Sequence, residues 1–194
     1  MLKAIIISIG LLLFTSPVIA DDLEEVKTFL SEKLSATTRL LQNKDLPIEE
    51  KKDKILGIVR EAFDFPLMAK LTLGRKYWPR LSKEERKRFT SLFVHRLQAS
   101  YVDKLDLYKD EEVTINKSVH VKKKIHVLTS IISGTKEINM LYKFYKSKKR
   151  GWLVYDIEIQ GVSLITTYRS QFNEVLRTGT IDDLFLKLEK SDIE

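Results

Sequence analysis

Residues 136–159 read KEINMLYKFYKSKKRGWLVYDIEI, and the spacing of the apolar side chains in this stretch decides the fold. Every second residue from Ile138 to Phe144 is apolar, which is the period of a strand with one buried face. The basic run 146–151 predicts a hairpin turn, after which the alternation resumes. We expect the second strand to present two faces, Leu153, Tyr155, Ile157 and Ile159 on one and Trp152, Val154, Asp156 and Glu158 on the other.

Outward from this hairpin, the pattern predicts more strands upstream and helices on both flanks. One strand is predicted over 119–131 and a shorter one over 113–115, which completes an antiparallel meander of four strands. Apolar residues recur at helical spacing over 22–43, 48–62, 82–108 and 164–179, and again from Thr180. Ser82 with Glu85 forms a capping box for the longest helix. This order predicts an α+β fold in one domain, residues 21–194.

The N-terminus has the pattern of a secretory signal peptide. Lys3 precedes an unbroken apolar run over 4–14, which is too short to cross about 30 Å of hydrocarbon. Val18 and Ala20 occupy the small-residue positions of a signal-peptidase site, and two aspartates follow. We predict cleavage after Ala20, so that residues 1–20 are removed and the remainder is exported. The alternative is a retained N-terminal anchor.

Composition argues against several classes of function. The 194 residues include no cysteine, which excludes disulfide frameworks, thiolate metal sites and cysteine nucleophiles. No glycine-rich phosphate loop or hydrolase motif occurs. His120 and His126 are predicted on one face of the same strand, about 20 Å apart, too far to share a metal ion. We therefore expect neither a metal site nor a cofactor.

Basic residues are in excess, with 34 Lys and Arg against 27 Asp and Glu, a formal net charge of +7. They concentrate at 122–124 and 146–150. Nucleic acid is not the expected partner of an exported protein. Ordinary solvated turns, anionic lipid head groups and an acidic protein partner all remain open as explanations of these lysines.

A pair of carboxylates is the remaining group with catalytic potential. Asp156 and Glu158 point the same way from one predicted strand, about 7 Å apart, a spacing suited to general acid–base chemistry. Solvation, or pairing with neighbouring lysines, is the commoner role of such a pair. The large apolar side chains of the sheet and the following helix are likewise compatible with an ordinary core or with a ligand pocket.

Two blocks of sequence carry a family pattern. The first is FDFPLMA over 63–69, followed by Leu73-Gly74, Tyr77-Trp78 and Phe89-x-x-x-Phe93. The second is GWLVYD over 151–156, then GVSL over 161–164 and YRSQF over 168–172. In order and spacing, these blocks resemble the MlaC family of periplasmic phospholipid-binding proteins, the toluene-tolerance type. The resemblance spans about residues 22–188, nearly the whole chain after the predicted leader.

This resemblance implies a fold and a function. The fold is a bent antiparallel four-stranded sheet wrapped by N- and C-terminal helices, with a lipid pocket between sheet and helices. The function is that of a monomeric periplasmic shuttle with phospholipid as its cargo. Its partners would be an outer-membrane lipoprotein–porin complex and an inner-membrane ABC transporter with an MCE-type ring, a system that maintains outer-membrane lipid asymmetry. Such a carrier needs no catalysis; the alternatives are a small periplasmic enzyme that uses Asp156 as acid or base, and an adaptor that binds only proteins.

The resemblance also implies that the apolar side chains of the helices and the sheet line the lipid pocket. Arg169 follows Tyr168 in the helix after the sheet, and we expect it either to form a structural ion pair with Asp156 or to contact a lipid head group. The expected lining residues are Phe65, Met68, Leu71, Trp78, Phe93, Leu97, Tyr101, Met140, Tyr142, Phe144, Trp152, Tyr155, Leu164, Tyr168 and Phe172.

Overall fold

A computed structural model describes residues 18–102 and 112–190. Helices precede and follow a single antiparallel sheet, as the α+β prediction requires. The helices are α1 (Val18–Gln42), α2 (Ile48–Ala62), α3 (Phe65–Tyr77), α4 (Lys83–Leu97), α5 (Leu164–Thr178) and α6 (Ile181–Glu189). The strands are β1 (Glu112–Val121), β2 (Lys124–Ser133), β3 (Lys136–Ser147), β4 (Gly151–Ile159) and β5 (Val162–Ser163).

The sheet is a meander in which neighbours in sequence are neighbours in space, in the order β1-β2-β3-β4-β5. The fifth strand, which the sequence did not predict, is only two residues long. The predicted single strand over 119–131 is wrong, because the chain reverses at Lys122-Lys123, where Lys122 has a φ of 58°. His120 pairs with Ile125 and His126 pairs with Val119, so the two histidines lie on opposite faces of a hairpin.

A β-bulge in β4 corrects the predicted division of that strand into two faces. Lys143 pairs with Asp156 and Phe144 pairs with Val154, which leaves Tyr155 as one extra residue. The extra residue reverses the alternation beyond it. Trp152 and Val154 therefore share a face with Ile157 and Ile159, whereas Leu153 shares the other face with Asp156 and Glu158.

The helix boundaries follow from local capping. Ser82 accepts from the Glu85 amide and Glu85 from the Ser82 amide, which confirms the predicted capping box of α4. Thr180 and Asp183 form the same motif at α6. The predicted helix over 82–108 is shorter as an α-helix: α4 ends at Leu97 and continues as a π-helical turn over Gln98–Val102. The rest of that predicted helix, with Leu105 and Tyr108, lies outside the described residues.

Within the described residues, two apolar clusters stabilise the fold, and Phe63 and Leu164 pack against both of them. The first joins α3, α4, α5 and α6 around Phe89, Phe93 and Phe172. The second joins α1 to one face of the sheet, through Val26 and Phe144 among others. We call the face that carries Phe144 the inner face and the opposite one the outer face. The sheet is thus covered on its inner face by α1, while the last helices build a core of their own.

Most of the predicted signal peptide, residues 1–17, lies outside the described part of the chain. Val18 to Ala20 form the first turn of α1. Among the helices that the structure describes, none combines the length and the apolar character that a membrane crossing requires.

Candidate functional site

A mostly apolar cavity lies between the inner face of the sheet and helices α1 and α2. Its volume is about 470 Å³, within the range of roughly 300–1,000 Å³ that is usual for small-molecule sites. The end of α4 and the turn over 98–102 close a third side. Much of the cavity wall is formed by side chains that were not among the predicted lining residues: Phe29, Leu30, Leu34, Leu41, Ile55, Leu56, Val59, Val113, Ile131, Ile138, Ile157 and Ile159.

The sheet wall of the cavity depends on strand register. Tyr142 pairs with Val127 on one side and with Ile157 on the other, and cross-strand partners point to the same face. Val154 and Ile157 both line the cavity although they are three residues apart, a spacing that would put them on opposite faces of a regular strand. The bulge at Tyr155 makes this possible, so it shapes the wall directly.

The polar groups of the cavity wall are few, and none of them is an acid. Lys33 donates to Glu61 Oε2 at 2.6 Å, and Thr37 Oγ1 donates to the Lys33 carbonyl at 2.9 Å. Burial, together with Tyr168, raises the pKa of Tyr101, which therefore stays neutral at neutral pH. The described lining residues include no carboxylate and no histidine. The described wall can surround an apolar molecule but offers no carboxylate–histidine pair.

Fewer than half of the predicted lining residues reach this cavity. Phe65 and Met68 come from the start of α3, and the others come from the end of α4, the turn after it, the sheet and the start of α5. The predicted residues that line the cavity are Phe65, Met68, Leu97, Tyr101, Met140, Tyr142 and Leu164.

Four predicted lining residues belong instead to the cluster of the last helices. The ring centroid of Phe93 lies 5.4 Å from that of Tyr168 and 6.3 Å from that of Phe172, both nearly perpendicular. Leu71 packs against the same cluster. This region is filled by its own aromatic rings, which at these distances leave no room for a ligand.

The last four predicted residues are not among the cavity's lining residues either. Phe144 and Trp152 are buried in the cluster between α1 and the sheet. Tyr155 lies on the outer face, where its ring meets Tyr145 at 6.2 Å and the Lys124 ammonium at 4.1 Å, because the bulge reverses the side to which it points. Trp78 lines a second, shallower groove beside α4.

Comparison with known proteins decides the family. The model of the MlaC protein family matches residues 32–190. The chain belongs to the MlaC family. The resemblance seen in the sequence blocks is thereby confirmed, and the match covers the whole sheet and the helices from α2 to α6.

Two relatives of this MlaC-family chain illustrate the likeness. The intermembrane phospholipid transport system binding protein MlaC of Haemophilus influenzae is 28% identical over 120 residues, 59% of this chain. The match covers 56% of that protein's length, little more than half of it. A phospholipid-binding protein from Ralstonia solanacearum, solved in complex with a phospholipid, has a TM-score of 0.73 at 21% identity, over 88% of this chain and 96% of that one. The second match confirms the fold.

Asp156 is a structural group in this MlaC-family chain. Its side chain is 6% exposed, accepts from Ser163 Oγ at 2.8 Å and from the Ile165 amide at 3.2 Å, and is 3.0 Å from the Lys143 ammonium. Lys143 also pairs with Glu158. Burial opposes the charge on Lys143, but the bonds and charges of both carboxylates outweigh it and raise the pKa of Lys143. The carboxylate thus fixes the start of α5 on the sheet, away from the cavity.

The predicted pair of Asp156 with Arg169 is wrong, because each group has another partner. Arg169 donates from Nε and Nη2 to the Leu71 carbonyl at 2.9 and 2.6 Å. Gly74, with a φ of 63°, interrupts the helical geometry of α3 three residues after Leu71. Through its two bonds to the Leu71 carbonyl, the guanidinium joins α5 to α3. Arg169 is therefore a helix-joining residue, and it is not among the cavity's lining residues.

Metal ligation finds no support within the described ranges, 18–102 and 112–190, where no three acidic or histidine side chains are grouped to hold an ion. His126 Nε2 is buried on the outer face without a hydrogen-bond partner among the described residues. Burial, with a contribution from Lys143, lowers the pKa of His126.

Proposed function

We propose that this MlaC-family protein is a periplasmic carrier that binds a phospholipid by its acyl chains and moves it between the two membranes. Its partners in this proposal are an inner-membrane ABC transporter with an MCE-type ring and an outer-membrane lipoprotein–porin complex. The relatives support the cargo: one is named as a binding protein of an intermembrane phospholipid transport system, and the other holds a phospholipid.

The single observation that carries the proposal is the cavity between sheet and helices. Its walls are hydrocarbon from at least four elements, and the described residues around it supply no acid–base pair. A catalytic pocket requires groups that donate or accept protons near the substrate, whereas acyl chains require only apolar walls. The enzyme alternative loses its main residue, because Asp156 is engaged outside the cavity with Ser163, Ile165 and Lys143.

Energetics explains why such a cavity is needed. Two acyl chains of about 30 methylenes in total, at about 0.8 kcal/mol each, avoid water by on the order of 24 kcal/mol. A lipid therefore crosses an aqueous gap only inside a protein. Because the bilayer gives the chains the same shelter, the cavity must match the membrane only approximately, since a much tighter site would not release its cargo.

Cavity-filling substitutions test the proposal. Native mass spectrometry of the protein, exported with its own N-terminus and purified without detergent, is expected to show phospholipid bound at about one per chain. Met140→Trp and Leu97→Trp place an indole in the cavity and should lower the lipid-bound fraction severalfold, because ligand and indole compete for the same volume.

Leu141→Trp is the matched control, since Leu141 neighbours Met140 but points to the outer face, where it pairs with Leu128. It should bind lipid as the unchanged protein does. A protein that is purified empty and takes no lipid from vesicles would overturn the carrier. Equal loss of lipid in Met140→Trp and Leu141→Trp would show that the cavity is not the binding site.

A further inference from the structure

A second groove, which the acyl-chain site does not explain, carries a concentration of positive charge. It runs along α4, between that helix and the segment that joins α2 to α3. Four cationic side chains line it: Arg60, Arg86, Lys87 and Arg150. None of its described lining residues is an aspartate or a glutamate. As far as its described lining goes, the groove is therefore an electropositive surface without an acidic side chain.

Two of these guanidinium groups are held in place by backbone carbonyls. Arg86 donates to the carbonyls of Trp78 at 3.2 Å and Pro79 at 3.3 Å, and its guanidinium lies 5.5 Å from the centre of the Trp78 ring. Arg150 donates to the carbonyls of Arg60 at 3.1 Å and Glu61 at 2.9 Å. A carbonyl fixes the geometry of a guanidinium without cancelling its charge, so both groups keep donors and charge for an anion.

The groove and the apolar cavity share part of their walls. Arg60, Phe63, Phe65, Val94 and Gln98 line both. Apolar walls therefore lead directly to cationic ones at Arg60. A molecule with hydrocarbon at one end and an anion at the other matches this sequence of surfaces.

We propose that the groove binds the phosphate-bearing head group of the lipid whose acyl chains occupy the cavity, and that it favours lipids with a net negative charge. The proposal rests on the carrier function proposed above. Every phospholipid phosphate pairs with a cation, but a zwitterionic head group brings its own ammonium into the groove, where Arg60 and Lys87 repel it. An anionic head group such as phosphatidylglycerol has no such group. The preference is modest, because Arg60 and Lys87 are exposed to solvent.

Competition between two lipids tests the preference. The lipid-free protein is incubated with vesicles of equal parts phosphatidylglycerol and phosphatidylethanolamine, re-isolated, and its bound lipid is extracted and quantified. We expect phosphatidylglycerol to exceed phosphatidylethanolamine by about threefold to fivefold, the size that two exposed charge pairs provide. The double variant Arg60→Gln with Lys87→Gln should bind the two lipids nearly equally.

The control is the double variant Lys70→Gln with Lys83→Gln. It loses the same two charges, from exposed positions on α3 and α4 that do not line the groove. It should keep the preference for phosphatidylglycerol, which separates the groove from a general attraction of a basic protein to anionic vesicles. Equal loss in both double variants would overturn the proposal.

Two further outcomes distinguish the possible failures. If all variants take up lipid in the proportions of the vesicles, the head-group site is wrong while the carrier stands; if none takes up lipid, the carrier itself is wrong and the head-group site falls with it. Excess inorganic phosphate should not abolish the preference, because a tethered head group has a high effective concentration in the groove. Abolition would identify free phosphate as the ligand and overturn the lipid assignment.

Discussion

The molecule has two apolar regions that are built from the same residue types but differ in how they are filled. In the cluster of α3 to α6, Phe89, Phe93 and Phe172 contact one another, with ring centroids 5.5 to 6.3 Å apart. In the cavity, Met140 and Leu164 are only half-buried and border open space. Close packing makes the first region a major contributor to stability, whereas the second region leaves the open space that the proposed function requires. Substitutions should therefore separate stability from lipid loading.

Phe93→Ala should have the largest effect on stability. The side chain is fully buried and touches three other rings, so its removal should lower the free energy of unfolding by about 3–5 kcal/mol. Urea denaturation of the lipid-free protein measures this. Met140→Ala is the counterpart in the cavity wall and should cost less than half as much, since its side chain already borders empty space. Equal costs would show that the two regions are packed alike.

The sequence predicted the positions of helices and strands better than it predicted which elements pack against each other. Period and capping located α2, α4 and α6, and alternation located β3 and β4, because these signals are local. The bulge at Tyr155 was invisible, since nothing in GWLVYD distinguishes a bulged strand from a regular one. The turn at Lys122-Lys123 was missed for a related reason. Two-residue hairpin turns normally contain glycine or asparagine, and this one contains only lysine.

The cavity lining was predicted only in part, because the spacing of residues within one element does not show which other element it contacts. The apolar stripes of α1 and α2 were recognised from their spacing, yet nothing in them indicated that Leu34 or Ile55 faces a cavity. The aromatic residues Phe93, Tyr168 and Phe172 had the same kind of signal and turned out to pack on one another. Whether a stripe meets a partner or an open space depends on how helices cross, which spacing within one helix does not encode.

Asp156→Asn should have the second-largest effect on stability, because Asp156 joins the cluster of α3 to α6 to the sheet. Asp156 holds the start of α5, which belongs to the filled cluster, against Lys143 on the sheet that forms the cavity wall. Loss of its charge leaves Lys143 with Glu158 alone and weakens the bond to the Ile165 amide, and we expect about 3 kcal/mol less unfolding free energy. Circular dichroism during urea titration measures it.

Asp22→Asn is the control for that substitution. Asp22 also pairs with a lysine, Lys146, at 2.6 Å, but at the protein surface. Solvent screens such a pair, so its loss should leave the denaturation midpoint nearly unchanged. A comparable loss of stability in both variants would mean that burial and the bond to α5 do not distinguish Asp156.

The smallest expected effect on stability comes from His126, on the outer face of the sheet. This side chain lines neither the cavity nor the cluster of α3 to α6. Burial, Lys143 and Lys124 lower the pKa of His126 below its ordinary 6.5, and together they outweigh the opposing effects of Glu158 and Asp156. The unfolded chain therefore binds a proton at this histidine more readily than the folded chain does. The contribution of His126 to stability should be complete above pH 6.5 and should decline as the pH falls below it.

Denaturation midpoints measured at pH 7.5 and below should show this decline. The variant His126→Gln should flatten the decline, whereas His95→Gln, at an exposed position on α4, should not. Because His126 points away from the cavity, the lipid bound per folded chain should stay constant across this range; a parallel loss of lipid would show that the two faces of the sheet are coupled.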